Sequence, residues 1–297
     1  MDKDRVEFLL ERTLKKLDPG LHRRFSDTGF ALQRILDRYR VLFPEFTDHT
    51  QLHCMTVMDF CNVLIGEEQI KMMNVDELYI LLMACYLHDA GMAISERDLE
   101  EFKEQLDYDG YFKAHPDAET SDIVREYHHD LSGLFIRKYA DMFDIPTKEH
   151  VFAIVQVSRG HRRTDLYDPA EYPAEYEVPG GNKICLPYLS SLIRLSDEID
   201  VAASRNPVLL YDIEAIVDDK QFMEHLKHKV IQKLITTEDA FTLCVKTEDD
   251  HILREIEKMR NKMQATLDYC RDVNEKRSRY RITQERVDLI RVQTVKS

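Results

Sequence analysis

Apolar residues recur along this chain mostly at helical spacing. Val6, Leu9, Leu10, Leu14 and Leu17 share one face of a first segment, which the Pro19-Gly20 pair interrupts. A second stripe, Leu32, Ile35, Leu36 and Tyr39, runs toward Pro44. A third, His53, Val57, Phe60, Cys61 and Leu64, begins after Thr47-Asp48. Asn74 is placed as the N-cap of a fourth helix that carries Leu78, Leu81, Leu82 and Cys85 to His88. Helical periodicity returns from Ile123 to Tyr139 and from His150 to Gly160. It resumes at Tyr188, through Leu189, Leu192, Ile193 and Leu195, to about Ser204.

Between these stripes, Met92 to Ser121 is polar and acidic and reads as an insertion with one short helix, outside the core. Asp165 to Pro187 holds four of the nine prolines, the Gly180-Gly181 pair and Tyr167, Tyr172 and Tyr176. It predicts a long loop or hairpin, a length that in compact domains is usually functional or disordered; a lid and plain surface packing are both open to it. Beyond Pro207 the period changes. Val230 to Thr236 and Phe241 to Lys246 are β-like runs separated by Thr237-Glu238-Asp239, and Val287 to Val295 alternates like a strand. Ile252, Ile256, Met259, Met263 and Leu267 trace a long amphipathic helix, read as core or as a homo-oligomer interface. The fold class expected is mainly α: a helical domain over residues 1–206 with a small C-terminal α+β region over 207–297.

Composition agrees with that reading. The 297 residues include only nine glycines, nine prolines and no tryptophan, so turns are scarce and long helices are favoured. A formal net charge of −14 repels a phosphate backbone, which argues against nucleic acid as a partner and for a small phosphorylated or nucleotide ligand in a shielded pocket. The six cysteines form no C-x-x-C pair, and Cys54, Cys61 and Cys85 fall in apolar helical segments, as small buried hydrophobes do. The opening MDKDRVEFLLER is charged and amphipathic rather than a signal peptide, and no apolar run approaches the ~20 residues needed to cross a bilayer. A cytoplasmic protein without membrane partners is expected.

Six of the twelve histidines, His49, His53, His88, His128, His129 and His161, fall where a helix ends or turns inward. His49 and His53, four apart, share a helix face. His88 and Asp89 are adjacent, but at a helix terminus followed by Ala90-Gly91 both side chains can reach one ion. His128 shares its face with Val124, Leu131 and Phe135, and His161 follows Gly160 at the end of an apolar helix. Asp197 extends the stripe of Leu189, Leu192 and Ile193, where an apolar residue would be expected, and Asp200 lies one turn further. Imidazoles and carboxylates on core faces are costly unless paired or ligated, so their convergence suggests a metal.

The segments TDHTQLHCMTV, YLHDAGM, REYHHDLSG, SRGH and IRLSDEID, in that order, resemble the HD-domain metal-dependent phosphohydrolase superfamily. The resemblance covers roughly Phe43 to Arg205. Its phrasing is similar to a bacterial subgroup linked to Hsp90-like ATPase modules or defence systems. The resemblance implies an HD-type helical bundle in which His53, His88, Asp89 and Asp197 hold one ion. It further implies that His128 and His161 hold a second, with Asp89 as the bridge. Divalent Mn, Fe, Co, Ni or Zn suits such mixed ligands, and two ions about 3.5–4 Å apart activate water for attack on phosphorus. Asp89 and His88 are the residues on which catalysis is expected to turn.

Near these ligands stand candidate phosphate contacts: Arg125, His129, Arg159, Arg162 and Arg163, arginine being suited to bidentate phosphate binding. His49 is expected to contact substrate or a ligand rather than metal. His225, His228 and His251 are read as lying on solvent-type faces. The function expected is hydrolysis of a phosphomonoester or phosphodiester bond in a nucleotide-like substrate. A nucleotide-sensing module without turnover and a metal-dependent single-strand nuclease are the alternatives.

Overall fold

A computed structural model describes residues 7–36, 51–201 and 219–292. His49, Tyr39, Pro44, the Thr47-Asp48 helix start and Ser204 lie outside the described residues. Eleven α-helices dominate what is described, as the spacing of apolar positions predicts.

The helix α1, Leu9–Leu17, is followed directly by α2, Pro19–Leu36, with Pro19 starting the second helix rather than only ending the first. The helix α3 spans Gln51–Met72 and α4 spans Val75–Leu87. Asn74 caps α4 as expected, its side chain accepting from the amides of Asp76 and Glu77 while Glu77 closes a capping box. The sequence of α4 is apolar on every side, and every residue from Asp76 to Leu87 is buried, so α4 is the central helix around which the others pack.

After α4 the chain makes a short 3-10 turn, Ala90–Ala93, then α5 (Glu96–Phe102) and α6 (Tyr108–Ala114). This stretch is less peripheral than its polarity suggests. Met92, Ala93 and Ile94 are buried, as are Leu99 and Phe102, so its first part belongs to the core and two helices replace the one expected. Next come α7, Thr120–Lys138, and α8, Lys148–Arg159. A two-residue hairpin, β1 (Tyr176–Glu177) against β2 (Lys183–Ile184), leads into α9, Leu186–Ile199.

The C-terminal region begins with α10, Asp219–Val230, a helix the apolar pattern does not announce. It continues with β3 (Ile231–Thr236), β4 (Ala240–Val245), α11 (Asp250–Arg277) and β5 (Arg286–Arg291). The strands form one sheet in the order β3-β4-β5, antiparallel then parallel. The stripe on α11 is core: Ile256, Met263 and Leu267 are buried, and α11 packs along α9. The same helix clamps the loop after α8. Arg277 donates to the carbonyls of Leu166 and Tyr172, the Tyr269 hydroxyl accepts from the Leu166 amide, and Tyr167 bonds Asp272. Among the described residues no single helix is long and apolar enough to cross a membrane.

Candidate metal centre

Two glycines let the site's elements close. A Cβ on Gly91 would lie 2.3 Å from the His128 carbonyl oxygen and 2.7 Å from the Ser132 amide nitrogen, so only glycine lets the 3-10 turn after His88-Asp89 seat against α7. The Ser132 hydroxyl accepts the Gly91 N–H at 2.8 Å and fixes that contact. A Cβ on Gly160 would meet the Ser190 Cβ at 2.4 Å, so the end of α8, just before His161, abuts α9 in the same way. Arg194 of α9 ties this end down by donating to the Gly160 and Thr164 carbonyls, each at 2.7 Å. Its guanidinium lies over the Tyr269 ring of α11.

Four buried imidazoles then share one arrangement. His88 donates its Nδ1–H to the Cys85 carbonyl at 3.0 Å, His128 to that of Arg125 at 2.6 Å and His161 to that of Ser158 at 2.5 Å. His53 donates instead to the Asp200 carboxylate, at 2.7 Å. Carbonyl and carboxylate oxygens only accept, so each neutral ring carries its proton on Nδ1 and turns the Nε2 lone pair inward. Those lone pairs meet in two couples, His53 and His88 at 3.2 Å and His128 and His161 at 2.9 Å.

Asp89 stands between the couples. Its Oδ2 is 3.4 Å from the Nε2 of both His53 and His88, and its Oδ1 is 3.7 Å from that of His128 and 3.5 Å from that of His161. Asp197 adds an oxygen 3.4 Å from His53 Nε2. Thus His53, His88, Asp89, His128, His161 and Asp197, from five separate elements or element ends, come together. Two ligand groups result, His53-His88-Asp89 and Asp89-His128-His161, each with its atoms within 4.8 Å of one another.

Lone pairs and carboxylates facing one another repel unless positive charge lies between them. Protons are poor candidates for that role. Burial pushes the His128 imidazole below its ordinary value, against the pull of Asp89 and with the help of the nearby Arg162 charge. Burial pushes His161 lower still, and the neighbouring His128 and His88 add to it. A cation bound through imidazole nitrogens whose other nitrogens are anchored is the arrangement that metal-ligating histidines adopt, and this donor set fits one.

The expected substrate contacts are distributed unequally. Arg159 is held by Asp130 at 2.8 Å and by Glu171, and Arg163 lies exposed against Glu126. Arg125 is exposed on α7 and contributes its carbonyl to His128. Arg162 is half-buried, close enough for its charge to act on His128, His129 and Glu198, and its guanidinium has no hydrogen-bond or ion-pair partner among the described residues. His129 sits beside His128 with its rings nearly perpendicular and its Nδ1 buried without a partner. Burial, the largest influence, pushes its imidazole down to about 4 although Asp130 pulls the other way.

Two sequence readings change. His225 and His228 do not face solvent: both are buried, and His228 bonds the Val201 carbonyl at 2.8 Å. The last site helix also stops earlier than expected, at Ile199 rather than near Ser204. Asp200, non-helical at φ −77° and ψ 71°, therefore turns to His53. Its sequence signal was only a further carboxylate three residues after Asp197; Ser132 was marked only by its H-x-x-x-S spacing from His128, and Arg194 and His228 carried no signal.

Comparison with curated proteins and with solved structures gave no match. The sequence does match the HD-CE family, over residues 43–279. That span takes in every ligand candidate from His53 to Asp197 and the whole of α11, and the chain accordingly belongs to the HD-CE family, an HD-domain-type family.

Proposed function

We propose that this chain is a metal-dependent phosphohydrolase that cleaves a phosphomonoester or phosphodiester bond of a nucleotide-like substrate. The observation that carries the reading is Asp89, whose two oxygens face two different histidine couples. In this reading His53, His88, Asp89 and Asp197 hold one divalent transition-metal ion, and Asp89, His128 and His161 hold a second. When bound, such ions lower the pKa of water and polarise a phosphoryl oxygen.

The chain's own residues supply the rest. The Nδ1 bonds to fixed carbonyls hold the imidazoles in one tautomer and aim, so no reorganisation is needed when substrate arrives. Arg162 is the cation left available to neutralise a phosphoryl oxygen, since Arg159 and Arg163 already face carboxylates. His129, kept neutral by burial, leaves Nδ1 for a polar group of the substrate. Arg194 and α11 hold the Gly160–Leu166 corner, and so the His161 backbone, in place.

Purified protein supplied with Mn and a panel of nucleotides should release phosphate or a nucleoside phosphate, in a chelator-sensitive way. The Asp89→Ala variant should release none. Unchanged turnover in that variant overturns the reading. Nucleotide binding with no product over hours overturns hydrolysis in favour of a sensing role.

A further inference from the structure

The two halves of the cluster are not chemically equal. Around the couple of His53 and His88 stand three carboxylates: Asp89 through Oδ2, Asp197 at 3.4 Å from His53 Nε2, and Asp200 behind the ring at 2.7 Å from His53 Nδ1. Among the described residues one carboxylate stands within 4 Å of the couple of His128 and His161, Asp89 through Oδ1, with Asp197 acting on both rings from farther off, and both rings are backed by neutral carbonyls. The Arg162 cation, next in the chain to His161 and half-buried, opposes positive charge at His128. A carboxylate behind an imidazole raises its basicity as a ligand, whereas a carbonyl does so weakly, and a neighbouring cation opposes a second positive ion.

Resting on the metal reading above, we infer that the site is built as a strong half and a weak half. Asp200 is the positioning residue that makes the His53 half strong, and the His128 half fills firmly only when an anion offsets Arg162. Asp200 is itself held in place. Its backbone leaves the helix at the end of α9, and His228 of α10 fixes the next carbonyl, that of Val201. The weak half would thus couple the second ion to a phosphate group, which brings negative charge beyond its single near carboxylate. Arg162, without a protein partner among the described residues, would hold that group.

The test is an equilibrium titration of metal-free full chain with Mn, by calorimetry and by the loss of the free-ion resonance signal, with and without inorganic phosphate. Wild type should show two classes of site, and phosphate should tighten only the weaker. In D200N, which keeps an acceptor for His53 but removes the charge, the tight class should weaken about 10- to 100-fold while the weak class is unmoved. In R162A the effect of phosphate on the weak class should vanish. Circular dichroism of each variant establishes that it is folded, and the wild-type titration decides by itself if one is not. Two equal classes in wild type, a phosphate effect on both, or equal weakening of both in D200N overturns the inference and leaves the metal reading standing. No Mn binding of any class overturns the metal reading and the inference with it.

Discussion

The two ends of α4 bury acidic groups in opposite ways. At its start, Glu77 is completely buried yet every oxygen is met. Its carboxylate accepts from the Tyr280 hydroxyl at 2.6 Å, from Arg279 at 3.0 Å and from the amides of Asn74 and Cys185. Asp76 beside it accepts from His150 at 2.9 Å and Asn182 at 2.7 Å. Burial would raise the Asp76 carboxyl, but these hydrogen bonds outweigh it and hold the group below its ordinary value. At the other end, His88 and Asp89 are as deeply buried, and facing them are further acceptors, the lone pairs of His53, His128 and His161.

The contrast separates a structural staple from a ligand site. A buried charge matched by donors of the protein holds parts of the fold together, here α4, the β1–β2 hairpin and the segment after α11. A buried cluster of inward-facing acceptors could instead hold a cation from outside the chain. Burial and residue type alone do not distinguish the two; the direction of the donors does.

The largest expected effect breaks the C-terminal end of α4 alone. Asp89→Asn should lower Mn-dependent phosphate release by about a thousandfold, on the order of 4 kcal/mol of transition-state stabilisation. The metal-free variant should melt no earlier than wild type, because a like-charge contact is relieved. An Asp89→Asn protein that is active, or that unfolds, would erase the distinction between the two ends.

Glu77→Ala should do the reverse. It strips the partner from Arg279, Tyr280 and the Cys185 amide and should cost about 3 kcal/mol of stability in urea unfolding. The folded fraction should bind Mn as wild type does; a loss of metal binding with little loss of stability would contradict the assignment.

Metal addition sharpens the same contrast. Mn at about 100 times its dissociation constant should stabilise wild type by about 2.7 kcal/mol and Glu77→Ala by as much, but Asp89→Ala by far less. Thermal melts of the three proteins with Mn and with chelator make the comparison.

The smallest effect concerns pH. Burial pushes the folded His129 imidazole down to about 4 from its ordinary 6.5, so the unfolded chain takes up the proton first. Its contribution is fully present above the unfolded value and is lost as pH falls from there toward the folded one, a change on the order of 3 kcal/mol. Metal-free His129→Gln should show a shallower fall in urea midpoint between those two values than wild type. An equal fall would show that His129 does not govern it.

Much of the site was legible because helices write their faces into the sequence. His53 lies on the stripe of Val57, Cys61 and Leu64, and Asp197 continues the buried face of α9; both arrive where a regular helix would carry them. His128 rather than His129 reaches Asp89 for the same reason, its position sharing a face with Val124 and Leu131. The three C-terminal strands were equally plain from alternation and from the turn at Thr237 to Asp239. What failed to show were contacts made across helix ends. His228 was misread because its partner, the Val201 carbonyl, lies just past the end of another helix. Met92 to Ile94 were misread because a short apolar run inside a polar stretch has no period to reveal its burial.

By itself, then, the sequence determined which residue types stand on the inward faces and in what order their helices come, because a 3.6-residue repeat is a local property. The tertiary structure alone decided that four Nε2 lone pairs meet around one carboxylate, that Asp200 rather than a carbonyl stands behind His53, and that Arg162, unlike Arg159 and Arg163, faces no carboxylate among the described residues. Each of these depends on the separation of groups far apart in the chain. That separation is set by how closely Gly91 and Gly160 let the backbones approach and by where each helix stops.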